Sequence, residues 1–199
     1  MLIRSLVVVS LFACLHDGPD PIGSWRLSKG QVRDGKLISL LGSDGRMEGK
    51  AHFVDDSQGG GMAFDGKSGC IVLADDFVKS KQRLPKKHMT ATAWVAVNTP
   101  VEWGGFIGVV QDNGSAESGW VLGYNQHHFT FGLATKGADD GDGQMTYLAS
   151  KTRYELGRYY HVCGTYDGKV QRIYVNGKLV RSCVLPGIPL HDDAALAKV

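Results

Sequence analysis

The sequence lacks the features that mark membrane-spanning and nucleic-acid-binding proteins. Its N-terminal apolar run, Leu6 to Ala13, is too short to span a bilayer. It has no long basic run and a formal net charge of only +2, so nothing predicts a nucleic-acid or membrane-surface footprint. It also has no long helical period, which argues against a helical domain.

Hydrolytic motifs are absent as well. Retaining glycosidases need two carboxyl groups about 5 to 5.5 Å apart, which on one strand usually means Glu or Asp at i and i+2 or i+4. None of the four glutamates falls in such a pattern: Glu48, Glu102, Glu117 and Glu155. There is no His-Glu-x-x-His, dimetal phosphoesterase or nucleophile-elbow motif. In His127-His128 we expect one exposed and one packed histidine, because adjacent strand residues face opposite ways. The sequence therefore predicts a protein that is not an enzyme.

Turn residues are what the chain has in abundance. Its 27 glycines and 6 prolines follow no collagen-like period and are typical of turns in an all-β protein. About ten short alternating segments predict an antiparallel β-sandwich or jelly roll. The predicted core residues are Val162, Ile173, Val175, Val180, Phe129 and Phe131, with either Trp94 or Val95.

Residues 1–21 are predicted to be an export signal and a short linker. Arg4 precedes the apolar run, and Asp17 to Pro21 interrupts it. Cleavage near Ala13 is the favoured interpretation. The alternative is a lipid anchor at Cys14, because Leu11-Phe12-Ala13-Cys14 loosely resembles a bacterial lipobox. We therefore expect a secreted or cell-envelope protein, with no membrane insertion beyond that alternative anchor.

Asp167-Gly168 and Asn176-Gly177 predict a three-strand meander, because both pairs suit two-residue type I′ turns. The predicted register has His161 opposite Tyr174, and Tyr174 opposite Leu179. It also sets Cys163 opposite Arg172, Cys183 opposite Val170, and Arg172 opposite Arg181. Cys163 and Cys183 are then about 10 Å apart laterally, beyond the roughly 7 Å between Cα atoms that a disulfide allows. If Cys14 is removed with the signal, three cysteines remain, and the third is Cys70. Any pairing of Cys70 is left open.

The stretch from Tyr159 to Val180 resembles the late strands of laminin-G-like domains in the concanavalin A-like lectin/glucanase superfamily. Those strands often read Trp-x-His-Val-x-x-Thr-Tyr-Asp-Gly and then Tyr-Val-Asn-Gly. Gly23-Ser-Trp25 and Phe64-Asp-Gly66 resemble the family's opening. The resemblance implies an all-β concanavalin A-like jelly roll over residues 22–184, with 185–199 as an irregular tail. The family's usual last strands are missing, which leaves two interpretations open: a longer natural protein or a disrupted reading frame.

The resemblance also implies a function. It suggests a secreted, non-catalytic binding module for carbohydrate or an extracellular protein, as the targeting part of a longer secreted hydrolase. The alternatives are a glucanase-like enzyme and a structural or adhesive module without a small ligand. The family's glucanases use Glu-x-Asp-x-(x)-Glu, which this sequence lacks.

One sheet face offers a candidate ligand site. Val162, Ile173, Val175 and Val180 fall on the predicted core face of the meander, and the opposite face carries His161, Arg172, Tyr174 and Arg181. Two arginines directly opposite each other are unfavourable without an anion or splayed side chains. An aromatic ring with two arginines suits sugar or an acidic glycan, and the alternative is an ordinary solvated face.

Two acidic segments are candidates for calcium. Oxygen ligands cluster at Asp112 and Asn113 after one strand, and at Asp139, Asp140 and Asp142 before another. Calcium takes six to eight oxygens from carboxylates, amides and backbone carbonyls. Laminin-G-like and pentraxin-like domains often bind it through loops at one rim. The alternative is a pair of solvated acidic turns.

Overall fold

The computed structural model describes residues 5–8, 21–55, 60–75, 87–111, 117–134 and 145–184. These residues form strands and one 3-10 turn, Lys29–Gln31. The strands are β1 (Ser5–Val8), β2 (Val32–Arg33), β3 (Lys36–Leu37), β4 (Gly45–Glu48), β5 (Ala51–Val54), β6 (Gly61–Phe64), β7 (Cys70–Val72), β8 (Met89–Ala96), β9 (Trp103–Gln111), β10 (Ser118–Asn125), β11 (His128–Ala134), β12 (Met145–Arg153), β13 (Tyr159–Tyr166), β14 (Val170–Val175) and β15 (Lys178–Val184). Within those ranges, no helix is long and apolar enough to cross a bilayer.

The chain divides into two compact units. The first comprises Met1–Leu84, Ala93–Thr99 and Leu156–Tyr159, and the second comprises Pro85–Thr92, Pro100–Glu155 and Tyr160–Val199. In the first unit the sheets run β8–β1–β6–β5 and β2–β3–β4–β7. In the second they run β15–β14–β13–β8 and β12–β11–β10–β9. The described strand pairings are antiparallel.

In the first unit, β1 lies between β6 and β8. The register sets Leu6 opposite Ala63 and Ala96, and Val7 opposite Met62 and Val95. These four neighbours are buried, although they fall on both faces of the sheet, as expected for strands in the middle of a covered sheet. Residues 5–8 belong to the predicted export signal, and that signal stays a prediction.

In the second unit, two sheets pack face to face. Gly164 of β13 lies against the ring of Phe131 in β11. Gln171 of β14, which is fully buried, donates from Nε2 to the carbonyl oxygens of Phe131 at 2.6 Å and Thr146 at 3.2 Å. The predicted antiparallel β-sandwich is therefore confirmed.

The predicted core is confirmed except at Val180. Val162, Ile173, Phe129 and Phe131 are at most 1% exposed, and Val175 is buried too. Of the two alternatives Trp94 and Val95, Val95 is the core residue, because it is fully buried whereas Trp94 is only half-buried. Val180 is half-buried.

The first predicted turn was wrong by one residue, which shifts the register of β14 against β13 by two. β13 and β14 pair Val162 with Val175 and Cys163 with Tyr174, so Cys163 is not opposite Arg172, and the backbone of His161 pairs with Asn176 rather than Tyr174. The turn centres on Gly168-Lys169, because Oδ1 of Asp167 accepts hydrogen bonds from the backbone N–H groups of Lys169 and Val170. Of the predicted pair only Gly168 has positive φ. A shift of two residues leaves each side chain on its predicted face.

The second turn was predicted correctly, but a bulge follows it. Asn176 and Gly177 have φ of 50° and 75°, as a type I′ turn requires, and Tyr174 pairs with Leu179 as predicted. The register then shifts by one residue between Ile173 and Tyr174.

Because of that bulge, the partners predicted for the rest of β15 were wrong. Arg181 lies opposite Ile173, Arg172 lies opposite Ser182, and Cys183 lies opposite Gln171. Cys163 and Cys183 remain on strands separated by β14 and do not bridge each other, as predicted. The pairing of Cys70 was left open, and all three cysteines are free thiols.

Candidate ligand-binding surfaces

The structure brings three of the four predicted ligand residues to one face. His161, Arg172 and Tyr174 alternate with the buried residues of β13 and β14 and point away from the core. We call this surface the meander face. Arg181 does not join it, because the bulge sets Arg181 opposite the buried Ile173. The predicted confrontation of Arg172 with Arg181 therefore does not occur.

His161 on the meander face is held by structural contacts. Its Nε2 lies 2.6 Å from Oγ1 of Thr92, and its backbone N–H donates to Oδ1 of Asn176 at 2.9 Å. Burial lowers the pKa of His161 below its usual 6.5, so the imidazole is neutral at physiological pH. A neutral, hydrogen-bonded imidazole does not serve as an anion site.

Arg172 is already paired. Its Nη1 lies 2.6 Å from Oδ2 of Asp167. This guanidinium and the backbone N–H groups of Val170 and Lys169 lower the pKa of Asp167 to about 2. The ion pair leaves the meander face with little net charge to attract an acidic ligand.

Arg181 instead lines an open groove beside β12. The groove has a volume of about 460 Å³ and is bordered by Lys151, Leu179, Val180, Arg181 and Ser182. We call it the basic groove. Nη1 of Arg181 donates to the carbonyl oxygen of Ala149 at 3.3 Å. Within the described ranges neither Lys151 nor Arg181 has a carboxylate partner, so two cations face solvent together.

A second surface carries an exposed aromatic pair on the outward face of the β9–β12 sheet. Trp103 is 57% exposed, and its ring centroid lies 5.0 Å from that of Tyr147, with a tilt of 48°. Trp103 pairs with Asn125, and Tyr147 pairs with Gly132. We call Trp103 and Tyr147 the aromatic pair.

Glycines form the outward face around the aromatic pair. Gly105 of β9 pairs with Gly123 of β10, and Gly132 of β11 pairs with Val121 of β10. Gly123 and Val121 lie on the same side of β10, so all four residues share the outward face. A Cβ at Gly132 would come 2.7 Å from the ring of Tyr147, so only glycine allows that ring to lie over the backbone. Glycine inside a strand often marks close approach of a ligand or another backbone. Gly105, Gly123 and Gly132 thus leave this part of the face without side chains beside the two rings.

The predicted calcium residues lie outside the described residues: Asp112, Asn113, Asp139, Asp140 and Asp142. The strand ends that flank them are described. Gln111 pairs with Ser118, and Ala134 pairs with Met145. Buried Glu117 accepts the backbone N–H of Met145 at 3.0 Å through Oε2, so the strand ends that flank the two acidic segments lie at the same end of the sheet.

The histidine pair agrees with the sequence-based expectation. His127 is exposed and His128 is half-buried. Burial, Arg153 and His127 lower the pKa of His128. In the parts of the chain that the structure describes, no three His, Cys, Asp or Glu side chains come together as metal ligands.

Sequence reasoning missed Trp103, Tyr147 and Lys151. A tryptophan followed by Gly104-Gly105 inside an apolar run was a usable signal for Trp103. Its pairing with Tyr147 depends on the register of four strands. Lys151 meets Arg181 only because of the bulge in β15, which no residue pattern marked.

Comparison with known proteins identifies a family and a solved structure of similar fold. Residues 72–197 match a laminin G family model described as the concanavalin A-like lectin/glucanases superfamily. No curated protein matches the chain. The solved binding domain of Paraclostridial Mosquitocidal Protein 1 is similar in fold, with a TM-score of 0.54 and 14% sequence identity. The match covers 80% of this chain and 41% of that one, so this chain corresponds to less than half of the solved chain.

Proposed function

Because the chain belongs to the concanavalin A-like lectin/glucanase superfamily, we propose that it is a secreted, non-catalytic module that binds carbohydrate through the aromatic pair. The observation that carries this proposal is the exposed Trp103 ring beside Tyr147 on a glycine-rich sheet face. Sugar rings present apolar C–H faces, and indole and phenol rings offer large, rigid apolar surfaces at low entropic cost. The structural neighbour is itself named a binding domain, which supports a binding role.

The basic groove favours a second candidate ligand class, acidic saccharides. Lys151 and Arg181 offer ammonium and guanidinium donors side by side. An Arg fork suits a carboxylate or sulfate group geometrically. Of the residues predicted from sequence, Arg181 thus keeps a ligand role, while His161 and Arg172 are engaged in internal contacts. Tyr174 remains a candidate stacking residue on the meander face.

The test is a screen of neutral and acidic oligosaccharides on a glycan array, followed by calorimetry with the best one. Trp103→Ala should weaken binding tenfold or more, while Leu156→Ala, which removes a side chain from a residue of similar exposure (59%), should not change it. Arg181→Gln should weaken only acidic ligands, with an effect that shrinks at high salt. No binding across the array, or equal losses for both apolar variants, would favour a protein-binding or adhesive module.

The absence of catalysis is part of this proposal. Purified protein should not hydrolyse β-glucans or phosphoesters. Turnover that a single carboxylate substitution such as Glu102→Gln abolishes would establish the glucanase-like alternative instead.

We also propose calcium at the two acidic segments. Glu117 bridges their flanking strands at one end of the sheet, and five oxygen-bearing residues follow or precede those strands. Calcium should raise the melting temperature by mass action, and Asp142→Ala should remove most of that gain. Calorimetry without binding at millimolar calcium would leave the segments as solvated turns.

A further inference from the structure

The aromatic pair and the basic groove are joined by one strand, β12. Tyr147, Ala149 and Lys151 follow one another along it at intervals of two residues. Tyr147 belongs to the aromatic pair, and Lys151 lines the basic groove. Between them, the carbonyl oxygen of Ala149 accepts a hydrogen bond from Nη1 of Arg181 at 3.3 Å. β12 is the edge strand of its sheet, so the two surfaces adjoin each other along that edge, within the second unit.

The distance between the two surfaces is short. Strand residues rise by about 3.4 Å each, so Ala149, where Arg181 is bound, lies about 7 Å along β12 from Tyr147. By the same rise Lys151 lies at most about 14 Å from Tyr147. Tyr147 and Ala149 share the outward face, because their partners in β11 are two residues apart. A ligand chain that leaves the ring of Tyr147 along β12 therefore reaches the two cations after a short path.

The two rings are arranged for a chain and not for a flat surface. The planes of Trp103 and Tyr147 are inclined by 48°, with their centroids 5.0 Å apart, so one flat polysaccharide surface cannot stack on both. A single saccharide chain can contact both, because rotation about its glycosidic bonds inclines successive sugar rings to each other. Trp103, at 57% exposure, offers the large apolar surface that a sugar ring needs.

We propose that the aromatic pair and the basic groove are two parts of one site, which binds a single acidic oligosaccharide carrying carboxylate groups. One sugar ring stacks on Trp103 and Tyr147, and a carboxylate further along the chain is bound by Arg181 and Lys151. The planar fork of an arginine matches a carboxylate with two N–H donors. The described residues that line the groove include no Asp or Glu, so none of them repels the anion. This inference rests on the proposed carbohydrate function and combines its two candidate ligand classes into one ligand.

A ligand that spans both parts has a characteristic dependence on chain length. Once one end is bound, the second contact forms within the same complex, so the affinity exceeds that of either contact alone. Affinity should therefore rise as the chain becomes long enough to reach from the aromatic pair to the groove, and then level off. A ligand confined to the groove would gain little from added sugar residues.

The test is calorimetry of the full chain with galacturonic acid and with its oligomers of two to six residues. The hexamer should bind one to one and at least tenfold more tightly than the monomer. Trp103→Ala and Arg181→Gln should each weaken the hexamer at least tenfold, while Trp103→Phe, which keeps an aromatic ring, should retain most of the affinity. The matched control is Lys169→Gln, which removes an exposed lysine that does not line the groove and should change nothing.

The same hexamer with its carboxyl groups methyl-esterified separates the two contacts. Its binding should be weaker and should depend on Trp103 but not on Arg181. Equal affinity for the acid and the ester would remove the groove from the site. An acidic hexamer that is unaffected by Trp103→Ala, or that binds twice per chain, would mean two separate sites. An array that shows binding of neutral sugars but of no uronate would overturn this inference alone, whereas an array without any binding would overturn the carbohydrate function with it.

Discussion

Gly164 is expected to be the least replaceable glycine of the β13–β14 sheet, because the ring of Phe131 lies directly above it. A Cβ at Gly164 would lie 2.5, 2.6 and 2.9 Å from Cγ, Cδ2 and Cδ1 of Phe131, whereas carbon atoms pack best at about 3.5–4.0 Å. Phe131 is fully buried, and its carbonyl is fixed by Gln171, so the ring has little room to retreat.

The magnitude follows from two opposing terms. Overpacking a well-packed core costs about 1–3 kcal/mol, and replacing glycine in a strand returns about 0.5–1 kcal/mol. Gly164→Ala should therefore lower the free energy of unfolding by about 1–2 kcal/mol. For a domain of this size that corresponds to a melting temperature lower by about 2–8 °C.

The assay is urea and thermal unfolding followed by circular dichroism, with Gly105→Ala as the matched control. Gly105 is also a strand glycine without positive φ, and its added Cβ would lie 3.5 Å from Val121, an ordinary contact. The control should be neutral or slightly stabilising. If Gly164→Ala were as stable as Gly105→Ala, the close packing of β13 on β11 would be refuted.

Three further predictions concern the meander. Asn176→Ala should lower the free energy of unfolding by about 1–2 kcal/mol, because Asn176 has φ of 50° and accepts the N–H of His161. Asn176→Gly should lower it less, since glycine adopts this φ freely. The urea unfolding midpoints of the two variants test this. The pKa of His161 is lowered in the folded protein, so the contribution of the neutral imidazole to stability should be fully present above pH 6.5 and decline below it. His161→Gln should flatten that decline in urea midpoints measured from pH 8 to 5. The pKa of Asp167 is lowered to about 2 from 3.8, so its contribution should be present above pH 3.8 and disappear as the pH falls toward 2; Asp167→Asn should remove this part of the acid profile, and an unchanged profile would contradict the role of its ion pair with Arg172.

The sequence was sufficient for the fold because its signals are local and periodic. Alternation in β13 and β14 predicted which residues are buried, and that assignment was unaffected by a turn displaced by one residue, because the displacement shifts the register by two. The misplacement has a physical cause. The side chain of Asp167 accepts hydrogen bonds from the backbone of the turn, and Asp167 is therefore the first of the four turn residues. The two central residues are Gly168 and Lys169 rather than Asp167 and Gly168. A period of two tolerates a shift of two.

The candidate site was less predictable because it depends on a one-residue shift. Tyr174 pairs with Leu179 but Ile173 pairs with Arg181, so Val180 is the additional residue of a bulge. Such a shift moves every later side chain of β15 to the other face. It removes the repulsion that the predicted register imposed on Arg172 and Arg181. Each arginine instead has an acceptor of its own, Asp167 for the first and the Ala149 carbonyl for the second. The bulge thereby converts an unfavourable charge pair into one neutralised sheet face and one cationic groove, and only the groove is suited to an anion.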